Sequence, residues 1–253
     1  MAPNSQNKIL NDNMKSRFTL ELIHETFDTD DDNIDAIVRI DDVRSFGVTF
    51  FTLKNISTLF EKWKISGENF NGSYFSAIDC VIVEKLEYSL LRQVIADMLQ
   101  QNDMVFEHRH FTRISPPLPG CYLLSPEDSV LTTLDDDLGV SLCVFRGFSD
   151  CDVDEMQRRG CLKYAYLLDS TIVEYWPLCF YTPAGIAQEV EKNGHTKEFG
   201  LIILQEITLK SVIDTCYSLW QSKYFTHYAP LSVRQMLELY GFTKQQIFRR
   251  LGY

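Results

Sequence analysis

The sequence has no long apolar run. No stretch of about 18 uncharged apolar residues occurs, so we expect no transmembrane helix. Residues 1–13 are polar and lack the apolar core of a secretory signal, so we expect no signal peptide. The chain is nevertheless 45% hydrophobic, which is enough for a packed core and excludes a mainly disordered protein. The sequence therefore predicts a soluble globular protein of the cytoplasm.

The motifs of common catalytic and cofactor-binding folds are also absent. The sequence contains no Gly-rich phosphate loop, no dinucleotide-binding fingerprint and no Gly-x-Ser-x-Gly motif. Its seven cysteines form no Cys-x-x-Cys pair, and its five histidines form no His-Glu-x-x-His motif. The acidic run after Asp28 fails as a calcium loop, because Asn33 and Arg39 stand where an EF-hand needs Gly and Glu. We therefore expect no metal and no cofactor, and the balance favours a protein that is not an enzyme.

Basic residues are few relative to acidic ones. The chain has 24 Lys and Arg against 35 Asp and Glu, for a net charge of −11, so general binding to nucleic acid is disfavoured. Two short acidic runs stand out, and one interpretation is that both runs are solvated loops. The other is a negative surface that steers and binds a basic partner protein. The two runs contain Asp28, Asp30, Asp31 and Asp32, and Asp135, Asp136 and Asp137.

The apolar pattern predicts an α+β fold in two domains. After a flexible tail at residues 1–15, residues 16–113 show strand alternation and two amphipathic helices, in the order β-β-β-α-β-β-α-β. Three prolines between Pro116 and Gly120 mark a domain boundary, although a rigid loop inside one domain is the alternative. Residues 121–253 predict a second α+β domain that ends in a helical hairpin. No internal repeat is visible in the sequence.

Three segments of the first domain carry a resemblance. They are the sequence VTFFTLKNI at residues 48–56, SGENFNGSY at residues 66–74 and CVIVEKL at residues 80–86. These segments resemble a group of small, uncharacterised bacterial proteins made of this one α+β domain, over about residues 16–112 of the chain. The resemblance implies a bacterial origin and supplies no site residue. In shape and acidity the domain is similar to immunity-type proteins of bacterial toxin systems.

Other features leave alternatives open. Tyr175 and Trp176 lie in an aromatic stretch that either lines a partner pocket or packs in the core. A cysteine together with His195 or His227 could form a nucleophilic site in the second domain. Residues 232–250 outline a helix-turn-helix with Gln and Arg on its second helix, and the alternative is a packed helical hairpin.

Acidity without a catalytic signature makes a binding protein the leading hypothesis. We predict a non-catalytic protein-binding protein of the immunity type, which neutralises a basic toxin or nuclease. The alternatives are a hydrolase-type enzyme with a Cys/His site in the second domain, and a DNA-binding regulator acting through the C-terminal helical pair. The predicted partner-binding residues are Asp30, Asp31, Asp32, Asp135, Asp136, Asp137, Tyr175 and Trp176.

Overall fold

The structure is a computed structural model that describes most of the chain. The predicted tail, the predicted domain boundary and all but two residues of the predicted C-terminal helical pair lie outside the described residues. The described segments are residues 18–24, 26–40, 44–77, 80–100, 129–144, 156–170, 174–198, 200–227, 230–231 and 235–236.

The described residues form an α+β fold, as predicted from the sequence. In chain order the elements are β1 (Phe18–Leu22), β2 (Asn33–Ile40), β3 (Arg44–Thr52), α1 (Leu53–Ser66), β4 (Tyr74–Ser76), β5 (Cys80–Val83), α2 (Tyr88–Gln100), β6 (Ser129–Asp135), β7 (Val140–Val144), β8 (Cys161–Asp169), β9 (Glu174–Tyr181), α3 (Pro183–Asn193), β10 (His195–Thr196), β11 (Leu201–Leu204), α4 (Leu209–Gln221) and a 3₁₀ helix (Tyr224–His227).

The chain folds into two compact units, and it enters each of them more than once. The first unit comprises residues 1–72, 79–107 and 187–197, and the second comprises residues 73–78, 108–186 and 198–253. The sheet of each unit therefore has one short strand from a distant part of the chain. This strand is β10 in the first unit and β4 in the second.

The first unit is a five-stranded sheet in the order β1-β2-β3-β5-β10. Strands β1 to β3 form an antiparallel meander, β5 lies parallel to β3, and β10 pairs antiparallel with β5. In β1 and β2 buried and exposed residues alternate, because one face packs on the core and the other faces solvent. Helix α2 packs on the core face through residues at helical spacing: Leu91, Val94, Ile95 and Met98.

The second unit is a six-stranded sheet in the order β4-β11-β9-β8-β7-β6. Strands β6 to β9 form an antiparallel meander, and β11 lies parallel to β9. Helix α3 follows β9, and its residues from Ala187 onward belong to the first unit. It begins after Thr182, whose Oγ1 accepts the backbone N–H of Gly185 at 3.1 Å. Helix α4 begins after Thr208, which forms a capping box with Ser211.

The two units repeat one order of elements, although the sequence shows no repeat. In each, a meander leads into a helix, and the next strand of the same sheet lies parallel to the end of the meander and is followed by a 13-residue helix. The caps repeat as well. Thr52 caps α1 as Thr182 caps α3, and each donates its backbone N–H to the residue that precedes the second-to-last strand of its meander, Asp32 at 3.3 Å and Gly160 at 2.8 Å. The chain therefore contains a similar order of elements twice, with three strands in the first meander and four in the second.

The connection after α1 contains a left-handed turn that the sequence does not predict. Three consecutive residues other than glycine have positive φ, namely Asn69 (46°), Phe70 (51°) and Asn71 (56°). Gly67 (83°) and Gly72 (70°) flank them. Only glycine adopts this region without steric strain, and asparagine tolerates it better than phenylalanine. Phe70 nevertheless remains 52% exposed.

Most predicted elements of the described segments are confirmed. The stretch from Tyr164 to Tyr175, whose apolar pattern fits a helix as well as a strand, contains most of β8 and the start of β9. Nearly every side chain of β9 is buried, so the strand has no polar face to reveal its period. Among the described helices, none has the length and apolar composition needed to span a bilayer.

Candidate functional site

The acidic loop of the first unit connects β1 to β2 and includes Asp28 to Asp32. Asp28 Oδ1 accepts the backbone N–H groups of Asp30 at 2.9 Å and Asp31 at 3.3 Å, which folds the loop into a tight turn. The hydrogen bond from Asp30 is the main reason why the pKa of Asp28 lies below its usual value. The loop therefore has a defined shape and keeps the Asp28 carboxylate charged at neutral pH.

Asp31 holds this loop against α1, and the carboxylate of Asp32 stabilises the loop itself. Asp31 Oδ2 accepts a hydrogen bond from Thr58 Oγ1 at 3.1 Å and lies 3.6 Å from Lys54 Nζ, both on α1. Asp32 accepts backbone N–H groups with both carboxylate oxygens, from Asn33 at 2.8 Å and from Asp28 at 3.3 Å. The structure thus gives these two predicted binding residues a role within the fold.

Asp30 is the predicted residue of this loop that points into solvent. Its side chain is 57% exposed, and Lys85 Nζ lies 3.8 Å from Oδ1. An exposed pair at this distance contributes little to stability. The carboxylate of Asp30 is therefore available to a partner, together with the exposed Asp28.

The second acidic run forms the turn between β6 and β7 and divides in the same way. Asp135 Oδ1 accepts the backbone N–H of Leu138 at 3.0 Å, and Oδ2 accepts Trp220 Nε1–H at 3.3 Å. Asp136 and Asp137 are exposed. Asp135 therefore stabilises its own unit, and the other two carboxylates remain accessible.

Tyr175 and Trp176 do not lie on a surface, which corrects their assignment as partner-binding residues. Tyr175 is completely buried, and its ring packs against Tyr166 with a centroid distance of 5.7 Å. Trp176 is 8% exposed and packs edge-on against Trp220 at 6.3 Å. Both residues belong to the interior of the second unit, because successive residues of a strand point to opposite faces and here both faces are covered.

Three of the five cysteines in the described segments, Cys80, Cys179 and Cys216, do not have the character of nucleophiles. Burial raises the pKa of the Cys80 and Cys216 thiols far above the usual value. For Cys179 burial is again the main cause, and the Glu198 carboxylate adds to it. A thiol must ionise to react, so these three are protonated and unreactive at neutral pH.

The two histidines of the predicted Cys/His site lie on different elements. His195 is on β10 of the first unit, where burial lowers its pKa, partly opposed by Asp97. His227 ends the 3₁₀ helix of the second unit. No group of three or more His, Cys, Asp or Glu side chains suited to a metal ion occurs among the residues the structure describes.

A polar cluster in the second unit was missed by the sequence analysis. Glu198 Oε1 accepts a hydrogen bond from Tyr181 Oη at 3.0 Å and lies 3.3 Å from Lys163 Nζ, which also faces the Tyr181 ring at 5.3 Å. These residues are 17 and 35 positions apart in sequence, so no local motif could reveal them. In this cluster the Lys163 ammonium forms an ion pair with the Glu198 carboxylate, which stabilises this end of the sheet.

No family model, curated protein or solved structure matches this chain. The resemblance of residues 16–112 to small bacterial proteins is therefore still a prediction. The acidic loop of the first unit is the candidate site, because it combines a fixed backbone with exposed carboxylates.

Proposed function

We propose that this is a non-catalytic protein-binding protein that holds a basic partner against its acidic surface. An immunity-type factor that neutralises a basic toxin or nuclease is the specific form of this proposal. The observation that carries it is the acidic loop, in which Asp28 and Asp30 stay exposed while the side chain of Asp31 and the backbone carbonyl of Asp32 tie the loop to the unit. A loop that already has its bound shape loses little conformational entropy when a partner binds.

The charge of the whole chain supports the same proposal. A net charge of −11 attracts a basic protein over a distance set by the ionic strength, and it accelerates association more than it tightens the complex. The buried, protonated thiols of Cys80, Cys179 and Cys216 favour binding over nucleophilic catalysis in the described segments. The DNA-binding alternative concerns residues 232–250, almost all of which lie outside the described residues.

The test compares two triple variants with equal loss of charge. The first carries Asp30→Asn, Asp136→Asn and Asp137→Asn, which removes exposed carboxylates of the two acidic runs. The control carries Glu68→Gln, Glu191→Gln and Glu206→Gln, which removes three exposed carboxylates elsewhere. Each protein is immobilised and exposed to a lysate of the native host, and the captured proteins are identified and their association rates measured.

The proposal expects wild type and the control to capture a basic protein, and the first variant to associate with it more slowly. The difference should shrink between about 0.1 M and about 1 M salt, because the screening length falls from about 10 Å to about 3 Å. Capture of a partner that is not basic, or equal effects of the two triple variants, would contradict the proposal.

A further inference from the structure

The outward face of the β1–β3 meander adjoins the acidic loop of the first unit, because the loop connects β1 to β2. Register places Glu21, Ile37 and Gly47 side by side across the three strands. In the row on one side of these residues Asp35 pairs with Thr49, and in the row on the other side Arg39 pairs with Ser45. These residues alternate with the buried residues of the same strands, so they share the face that points away from the core.

The centre of this face is apolar and sterically accessible. Ile37 is only partly buried, and a Cβ placed on its neighbour Gly47 would meet no atom within 4 Å. A glycine inside a strand commonly marks a place where another chain approaches closely. The face therefore has room above its centre for a side chain of a second molecule.

Polar pairs surround this centre. Arg39 Nη2 lies 2.8 Å from Glu21 Oε2, and Thr49 Oγ1 donates to Asp35 Oδ1 at 2.7 Å. Protein interfaces have this arrangement of an apolar centre enclosed by polar residues that exclude water. Beyond the Asp35 row, β2 continues into the acidic loop, which adds the exposed carboxylates of Asp28 and Asp30.

The repeat of topology makes the exposure of this face informative. In the second unit the outward positions of the meander hold Tyr166, Leu168 and Tyr175, which are 0%, 3% and 0% exposed. The same face is thus apolar and covered in one unit, and polar-rimmed and exposed in the other. The fold can therefore be built with this face covered. In the first unit, by contrast, the side chains of the face are suited to contact with water and with a partner that binds reversibly.

We propose that this outward face is the surface on which the basic partner docks. The partner places an apolar side chain over Ile37 and Gly47, and its Lys or Arg residues meet Asp35 and Asp30. The inference rests on the proposed function and adds the place and chemistry of the contact. A second copy of the chain fits less well, because two chains that each carry a net charge of −11 repel one another.

The decisive variant is Gly47→Tyr in the full chain. A Cβ at Gly47 meets no atom within 4 Å, and tyrosine suits a strand better than glycine, so the melting temperature should stay the same or rise. Thr133→Tyr is the matched control, since it places the same ring on an exposed strand position of the second unit. Benzoylphenylalanine incorporated at Ser45 identifies the contacting protein by photocrosslinking in the native host.

The proposal expects Ser45 to crosslink to a basic protein. The purified crosslinked protein should then bind Gly47→Tyr about 30-fold or more weakly than wild type, and bind Thr133→Tyr within about twofold. A crosslink to a second copy, no crosslink, or unchanged affinity of Gly47→Tyr would each overturn it. If Gly47→Tyr binds normally while the Asp30, Asp136 and Asp137 variant associates slowly, the docking face is wrong and the proposed function stands. If neither variant affects binding, both fail.

Discussion

Replacing Gly185 with alanine should destabilise the second unit, although alanine normally stabilises a helix. Gly185 is the third residue of α3, and a Cβ there would lie 2.1 Å from the carbonyl oxygen of Gly160 and 2.7 Å from its carbonyl carbon. Both contacts are with backbone atoms, so no side-chain rotation relieves them. The α3 terminus and the Gly160 segment must move apart.

The magnitude follows from what that movement breaks. Overpacking costs about 1–3 kcal/mol. Separation also weakens the hydrogen bond from the Thr182 N–H to the Gly160 carbonyl, now 2.8 Å long, which contributes about 1 kcal/mol. The better helix propensity of alanine offsets about 1 kcal/mol. We expect a net loss of roughly 1–3 kcal/mol, a large part of the 5–15 kcal/mol that is typical of folded domains.

Urea unfolding followed by tryptophan fluorescence measures this loss, with Gly47→Ala as the control. Both variants lower the entropy of the unfolded chain equally, so their difference reports the native state. At Gly47 the added methyl group meets nothing within 4 Å, and stability should stay within about 1 kcal/mol of wild type. Equal unfolding midpoints for Gly185→Ala and Gly47→Ala would refute the steric reasoning.

Two further predictions concern titratable groups. Cys80, Cys179 and Cys216 should react with a thiol reagent at pH 8 only after unfolding, because burial raises the pKa of each thiol. Mass spectrometry locates the labelled residues. Rapid labelling of any of the three in the folded protein would show that its site is accessible. Burial lowers the pKa of His195, so the unfolded chain takes up a proton first as the pH falls, and stability should decrease below about pH 6.5. His195→Gln should reduce this decrease between pH 5 and 7 in urea titrations, and an unchanged pH profile would assign the decrease to other groups.

Strands that have one face exposed to water were predictable from the sequence. In β2 buried Ile34, Ala36 and Val38 alternate with residues that are less buried, and all of these except Ile37 are polar. The same reasoning could not resolve β8 and β9, because their two faces are both covered and apolar residues occupy nearly every position. The repeat of topology was equally hidden, because it is carried by pairing and caps and not by similar residues.

The sequence predicted the acidic site as a concentration of negative charge, but it did not predict which carboxylates stabilise the fold and which face solvent. Sequence gives Asp30, Asp31 and Asp135 the same character. Their difference depends on where hydroxyl, indole and backbone N–H donors lie, such as Thr58 for Asp31 and Trp220 for Asp135. These donors are 27 and 85 positions away, so only the folded structure separates carboxylates that stabilise the protein from those that face solvent.

The exchange of short strands has a consequence for synthesis. Strand β10, at the edge of the first unit, consists of His195 and Thr196, which leave the ribosome long after the rest of that sheet. Until then the outer edge of β5 lacks its native neighbour and presents unpaired backbone groups that other chains can bind. During translation the first unit therefore stays incomplete and prone to aggregation until about a hundred residues after β5 have been synthesised. Synthesis of these residues takes about 5–20 s at typical elongation rates.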